Sequence, residues 1–298
     1  MLGPTASGKT SLACQLAIEI QGEIISADSR QIYRGMNIGT GKDYEEYTVN
    51  GIAIPYHLID IKDPGYKYNI AEFQIDFNEA FNAISIRGKM PILCGGSGLY
   101  LDTALYGNSY LGIPTNEALW QELNSISADA LSNRYLMLSE TLKSQLNAKT
   151  TARKIRAIEI AEFLTENQDW KPFQTVDLNP LIIGVDIERD LRRKKISKRL
   201  VERVNSGLIE EVEQLVENGL SYADLDYYGL EYKWVGQYLQ MNISKTEMVE
   251  QLEIAIHQFA KRQMTWFRRM EKQGTEIHWI NATIPTSEKI ETIKNLMR

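Results

Sequence analysis

Cysteine is nearly missing from this 298-residue chain: Cys14 and Cys94 are the only two. Both lie in apolar surroundings, which argues against a disulfide framework or a zinc module and marks them as buried structural thiols. Histidine is as sparse. His57, His257 and His278 are scattered without metal-ligand spacing and read as structural. No apolar run reaches the ~18 residues that a membrane span needs, so no membrane partner is expected. No secretory signal, internal repeat or low-complexity segment is visible. Positive charge is also lacking overall: the formal net charge is −6, against the basic balance expected of a nucleic-acid binder. Binding is local, however, so the placement of cations matters more than their sum. With 43% hydrophobic and 24% charged residues, the composition is that of an ordinary globular protein with room for a large core. A cytoplasmic enzyme is expected.

What is present centres on Gly3-Pro4-Thr5-Ala6-Ser7-Gly8-Lys9-Thr10, a match to the phosphate-binding pattern G-x-x-x-x-G-K-[ST]. Gly3 and Gly8 let backbone N–H groups close around a phosphate. Lys9 reaches the terminal phosphates, Thr10 offers a hydroxyl to Mg²⁺, and the helix that follows points its positive end at the anion. A nucleoside triphosphate and a small diphosphate ester look alike to such a loop. It normally follows a buried strand, yet only Met1 and Leu2 precede it. Either that strand is very short or the native chain starts upstream, and the second is the expectation.

Strand and helix patterns alternate, which predicts an α/β protein with a parallel sheet. Strands are expected at 23–26, 54–60, 91–94, 181–187 and 276–280. An amphipathic helix is expected over 70–87, where Ile70, Phe73, Phe77, Ala80, Phe81 and Ile84 share a face. Between the third and fourth strands, roughly 85 residues read mostly as helix, about 116–146 and 151–165, with Asn167 to Pro172 as exit loop. This predicts a phosphate-loop core at 1–107, an inserted all-helical subdomain at 108–178, and a second core part at 179–298 with C-terminal helices near 189–217, 229–239 and 245–270.

Asp28-Ser29-Arg30-Gln31 follows the second strand directly. Residues just past the carboxyl ends of parallel strands line the ligand crevice. Asp28 is therefore either a general base or a partner to Mg²⁺, or it merely caps the following turn; its position alone does not separate these. Arg34 to Lys42, with three glycines in seven residues, reads as a loop approached closely by something or as a flexible surface loop. Gly95-Gly96-Ser97-Gly98 ends the third strand at the same rim. Asp60 is the nearest candidate for a second metal-side carboxylate, or simply the end of a core strand. Cations do cluster. Arg192 to Arg199 holds six in eight residues, Arg153, Lys154 and Arg156 form a second group, and Lys261, Arg262, Arg268 and Arg269 gather beside Trp266 and Phe267. On the last helix, Met248, Leu252, Ala255 and Phe259 read as the apolar stripe. Any one cluster is ordinarily a solvated face. Three on an acidic chain suit phosphate binding at a restricted surface.

Taken together these segments resemble the tRNA dimethylallyltransferase, or tRNA isopentenyltransferase, family. The likeness rests on residues 3–10, on Asp28-Ser29-x-Gln31-x-Tyr33 with Met36 to Lys42, and on His57-Leu58-Ile59-Asp60 with Asp63-Pro64. It continues through Gly95 to Tyr100, Arg153-x-x-Arg156-Ala157-Ile158-Glu159, Ile196-x-x-Arg199 with Gly207-Leu208, and Ala260 to Arg268. Asn37, Gly41, Ser97, Leu230 and His257 depart from the commoner Asp, Ala, Thr, Tyr and Arg. The resemblance implies transfer of a dimethylallyl group from dimethylallyl diphosphate to the exocyclic amine of the adenosine 3′ of the tRNA anticodon. It implies a phosphate loop (Gly3, Pro4, Thr5, Ala6, Ser7, Gly8, Lys9, Thr10) that holds diphosphate with Mg²⁺, with Thr10 near the metal or the bridging oxygen. Asp28 would be the base and Arg199 a second cation. Asp28, Ser29, Arg30, Gln31, Ser97, Ala152, Arg153, Lys154, Ile155 and Arg156 would contact tRNA, the insert would clamp the anticodon stem-loop, and the target base would leave its stack. A monomer is expected. The competing readings are a phosphate-loop kinase of a small metabolite or nucleotide, an adenylate isopentenyltransferase, and a non-catalytic RNA-binding protein.

Overall fold

The strand position ahead of the phosphate loop is filled by Leu2. In a computed structural model that describes residues 1–107, 110–146, 148–171 and 176–298, Leu2 bridges in parallel to Gly95 on one side and Gly184 on the other. Its N–H donates to Ile183 O (2.8 Å) and its carbonyl accepts from Val185 N (2.8 Å). A single residue thus joins two parallel ladders into one sheet. The chain forms two units, Met1–Tyr106 with Val176–Arg298, and Gly107–Thr175.

In the first unit α1 (Lys9–Ile20) leads to β1 (Gly22–Ala27). A short 3-10 turn (Tyr44–Tyr47) precedes the hairpin β2 (Thr48–Val49) and β3 (Ile52–Ala53), then β4 (Tyr56–His57), α2 (Ile70–Ile86), β5 (Met90–Gly95) and α3 (Gly98–Tyr106). β1 pairs in parallel with β4 and β5. All six β1 residues are buried, as expected of a strand covered on both faces. Alternation sends Ile24 to a core shared with Leu12, Leu16 and Ile92, and Ile25 to the other face, with Phe73, Phe77 and Leu101. The strand expected over 54–60 is only two residues long, because Leu58 (φ 62°) and Asp60 (φ 55°) turn the chain out of extended geometry. α2 starts on a capping box in which Asn69 accepts from Ala71 and Glu72 N–H while Glu72 reaches back to Asn69 N–H.

The second unit's described residues hold four helices and no strand: α4 (Glu117–Ser125), α5 (Ala128–Leu136), α6 (Glu140–Leu146) and α7 (Thr151–Glu166). α7 is the centre. Ile155 and Ile158 pack with Leu119, Leu123 and Leu131, and Ile160 packs with Leu142 and Ile113. Asn108 and Pro172, which bound the expected insert and its exit loop, lie outside the described residues.

The chain then returns to the first unit as β6 (Ile183–Asp186), α8 (Arg189–Asn205), α9 (Leu208–Glu217), α10 (Tyr222–Tyr228), α11 (Leu230–Leu239), α12 (Lys245–Lys272), β7 (His278–Asn281) and α13 (Thr286–Leu296). β6 pairs in parallel with β7. The expected helix 189–217 is two, because Ser206-Gly207 interrupts it with Gly207 at φ 106°. On α12 the buried stripe runs through Met248, Leu252, Ile256, Ala260, Met264 and Phe267. Phe259, assigned to that stripe from spacing, is exposed instead. Every strand of the sheet is parallel, so the segments after Leu2, β1, β5 and β6 leave from one edge.

Candidate active site

That edge carries a cavity of about 420 Å³ whose lining includes Lys9, Thr10, Asp28, Ser97, Arg199 and Gln263. The phosphate loop forms its floor. Ala6 (φ 63°) and Gly8 (φ 79°) adopt left-handed backbone. Gly8 caps α1 with no side-chain acceptor, so the first N–H groups of the helix are left for an anion. Gly3 admits no side chain, since a Cβ there would lie 2.8 Å from Ser7 Oγ and 3.0 Å from Val185 O. Ser7 Oγ is buried with no hydrogen-bond partner among the described residues. Burial pulls the Lys9 ammonium below its ordinary range. Arg199 donates to Thr5 Oγ1. Burial, then repulsion from Arg203, lowers the Arg199 pKa to about 10, so it is still a cation at neutral pH.

Asp28 caps the turn and also lines the cavity. One oxygen, Oδ1, accepts from Arg30 N–H (3.0 Å), which is the turn-capping role, and the residue also lines the cavity with the phosphate loop. Ser29, Arg30, Gln31 and Ser97 stand on the same wall. Ser29 N–H points to Ser97 Oγ (3.5 Å), Arg30 lies over the Tyr227 ring (5.2 Å), and Gln31 is held by Ser26 (3.0 Å) and Gly41 O (3.1 Å).

Asp60 is engaged elsewhere. It accepts from Lys42 Nζ (2.5 Å), whose side chain is fully buried, and from Tyr44 OH (2.5 Å). It therefore holds the glycine-rich loop rather than a metal. On α7, Ala152 and Arg153 are exposed, whereas Ile155 is fully buried in the helical core. Lys154 donates to Ser132 Oγ (2.8 Å). Arg156 donates to Pro114 O (3.0 Å), to Ile113 O and to Glu159 (3.3 Å). The two thiols are buried, and burial pushes both up, Cys14 to about 12.

Several residues with structural consequence escaped sequence reasoning. Glu211 accepts three consecutive N–H groups, from Asn37 (2.8 Å), Ile38 (2.7 Å) and Gly39 (3.0 Å), and the Tyr232 hydroxyl (2.8 Å). It pins the glycine-rich loop, whose Gly39 to Gly41 line the cavity. Its place beside Gly207-Leu208 was visible, but a carboxylate on a polar helix face carries no signal of three backbone partners. Gln263 and Arg203 likewise face the cavity. A second cavity, of about 300 Å³, is walled by Leu16, Ile20, Phe77, Phe81 and similar residues. With no Lys, Arg or His among its lining residues, it is not where phosphate chemistry gathers.

The family model described as IPP transferase matches residues 31–270. The chain belongs to the IPP transferase family. Over its full length it is 52% identical to a protein named tRNA dimethylallyltransferase 2 from Phocaeicola vulgatus, covering 96% of that relative. It is 45% identical to tRNA dimethylallyltransferase 1 from Geotalea daltonii, over 97% of this chain and 92% of the other. The solved structure of a tRNA isopentenylpyrophosphate transferase from Bacillus halodurans superposes with a TM-score of 0.71 at 32% identity, covering 99% of this chain and 93% of that one. A eukaryotic dimethylallyltransferase acting on tRNA shares the fold, with a TM-score of 0.80 at 20% identity, over 99% and 78%. Gly41 packs against Arg203. Here a Cβ at Gly41 would lie 2.2 Å from the Arg203 guanidinium, and φ is +68°. The missing methyl makes room for Arg203, which stands 3.8 Å from Asp43 and 3.9 Å from Glu231.

Proposed function

We propose that this chain transfers a dimethylallyl group from dimethylallyl diphosphate to the exocyclic amine of the adenosine 3′-adjacent to a tRNA anticodon. The observation that carries the reading is that the phosphate-loop cations and Asp28 share one cavity in a chain about half identical to named tRNA dimethylallyltransferases. The diphosphate lies in the loop, with the N–H groups at the start of α1, Lys9 and Arg199 around it. As the amine lone pair bonds to C1 of the prenyl group, the C1–O bond breaks and its electron pair leaves on diphosphate. Preorganised N–H groups and buried cations stabilise that growing charge without reorganising. The amine proton passes to the Asp28 carboxylate, whose second oxygen is not used in the turn cap. Leu230, Ile256 and Phe259 give the prenyl tail a carbon-rich wall.

The donor set fits Mg²⁺. Thr10 and Asp28 supply oxygen at the loop mouth, and no group of three His, Cys, Asp or Glu suited to a metal occurs among the described residues. That composition suits an ion held chiefly by substrate phosphates. When bound, Mg²⁺ would neutralise part of the leaving group's charge. Thr10 would hold it.

For tRNA, Asp28 to Gln31 and Ser97 are the contacts at the reacting base, and Ala152, Arg153 and Lys154 are contacts on the helical unit, which grips the anticodon stem. The protein acts as a cytoplasmic monomer. The test is incubation with radiolabelled dimethylallyl diphosphate, Mg²⁺ and unmodified tRNA, with AMP and ATP as rival acceptors. Label in tRNA is expected. Label in AMP alone would make the chain an adenylate isopentenyltransferase, and phosphate transfer from ATP would make it a kinase.

A further inference from the structure

The phosphate loop and the turn after β5 are joined by one side chain that none of the roles above uses. Gln263, on α12, accepts from Thr5 N–H through Oε1 (2.8 Å) and donates through Nε2 to Gly96 O (2.9 Å). It is 7% exposed. The partners fix its orientation, because Thr5 N–H can only donate and Gly96 O can only accept. The fit is close: a Cβ on Gly96 would stand 2.3 Å from Gln263 Nε2. Thr5 is thereby held from two sides, its N–H by Gln263 and its hydroxyl by Arg199. Beyond Gly96 the connection continues through Ser97 Oγ to Ser29 N–H, next to Asp28.

We infer that Gln263 is a positioning residue that sets the spacing between the diphosphate cradle and the turn carrying Ser97, and through it the Asp28 wall. The physical reason is one of satisfaction in a confined place. Gln263 lies in an otherwise apolar stripe between Ala260, Met264 and Phe267. A Leu or Met would fit there at least as well by hydrophobicity. An amide is worth its desolvation only where both ends find partners, and here the partners are the backbones of two loops that must cooperate. By accepting from Thr5 N–H, Gln263 also removes that donor from the set facing the anion, which defines where in the loop the diphosphate can sit.

The inference rests on the function proposed above, and the experiment separates the two. Wild type, Gln263→Met and Gln263→Glu are compared in four measurements: thermal unfolding, calorimetric binding of inorganic diphosphate, donor KM and kcat at saturating tRNA, and tRNA Kd without donor. Gln263→Met fills the same space without either bond. It is expected to weaken diphosphate binding and raise donor KM by about tenfold, with tRNA Kd changed less than about twofold. Gln263→Glu keeps an acceptor for Thr5 but sets a carboxylate against Gly96 O and near the diphosphate, so its donor-side loss is expected to be larger. If Gln263→Met does not fold, the same comparison is read on Gln263→Glu. Donor KM and diphosphate affinity within about twofold of wild type, whatever the melting temperature does, would overturn the inference. A wild type that neither binds diphosphate nor labels tRNA would instead remove the proposed function.

Discussion

Arg199 and Arg156 both come from basic helical runs, and the fold treats them oppositely. Arg199, on α8, turns inward from a helix whose Lys194, Lys195 and Lys198 stay exposed, and it donates to the loop that would hold the anion. Arg156, on α7, spends its guanidinium on Ile113 O, Pro114 O and the buried Glu159 of its own unit. Equal charge in the sequence therefore means different things. A cation is available to a ligand only where the backbone around it leaves its donors unused. Its exposed neighbour Arg153 has no such ties to Ile113 and Pro114, which makes it the freer candidate for a phosphate contact.

The sharpest break in that comparison would come from Asp28, one of the carboxylates that line the cavity with the inward cations. Asp28→Asn should lower kcat by about 10²- to 10⁴-fold, with tRNA Kd nearly unchanged by filter binding. Normal turnover would remove Asp28 from the base role. Next, Arg199→Gln should weaken diphosphate binding by about tenfold to a hundredfold. The same site predicts a pH dependence. Burial lowers Arg199 to about 10 and also lowers Lys9, and an adjacent anion raises both. Binding should therefore take up protons in mildly alkaline buffer, and affinity should fall as pH rises through about 10; calorimetry in buffers of different ionisation enthalpy reads the uptake.

On the other arm, Arg156→Ala should cost the helical unit about 2 kcal/mol in thermal unfolding, because it strips a donor from two carbonyls and leaves Glu159, a carboxylate that is 4% exposed, with Asn116 N–H but no cation. Arg153→Ala should leave stability within ~0.5 kcal/mol yet weaken tRNA binding and reduce its salt slope by about one. An Arg153 variant with an unchanged salt slope would erase the distinction. The smallest effect concerns a cation that only fastens the sheet. Arg87, then burial, then His57 act on Glu23, and the net result holds its carboxyl below the ordinary 4.5. That stability is present above 4.5 and is lost as pH falls through the lower folded value. Arg87→Gln should remove about 1 kcal/mol at neutral pH and make the remaining stability less sensitive to acid.

Much of this is legible in the sequence alone. Period-2 and period-3.6 patterns located β1, β5, α2 and the helical stretch with no strand. Local pattern failed where the chain departs from regular geometry. The expected 54–60 strand shrank to Tyr56–His57 because Leu58 and Asp60 take left-handed backbone. Phe259 reads as core by spacing, yet Ile256 and Ala260 take the buried positions. Asp60 reads as a metal-side carboxylate until Lys42 and Tyr44 are found on it.

By itself the sequence determined the phosphate loop, the parallel α/β core and the order of segments that reach one sheet edge, because these follow from backbone rules and periodicity acting over a few residues. Only the tertiary structure decided which cations face the cavity and which are consumed within a helical unit, and that Gln263, Glu211 and Arg203 reach back from α12, α9 and α8 to loops more than 150 residues away in the chain. Hydrogen bonds depend on distance and direction in space, and separation along the chain carries neither.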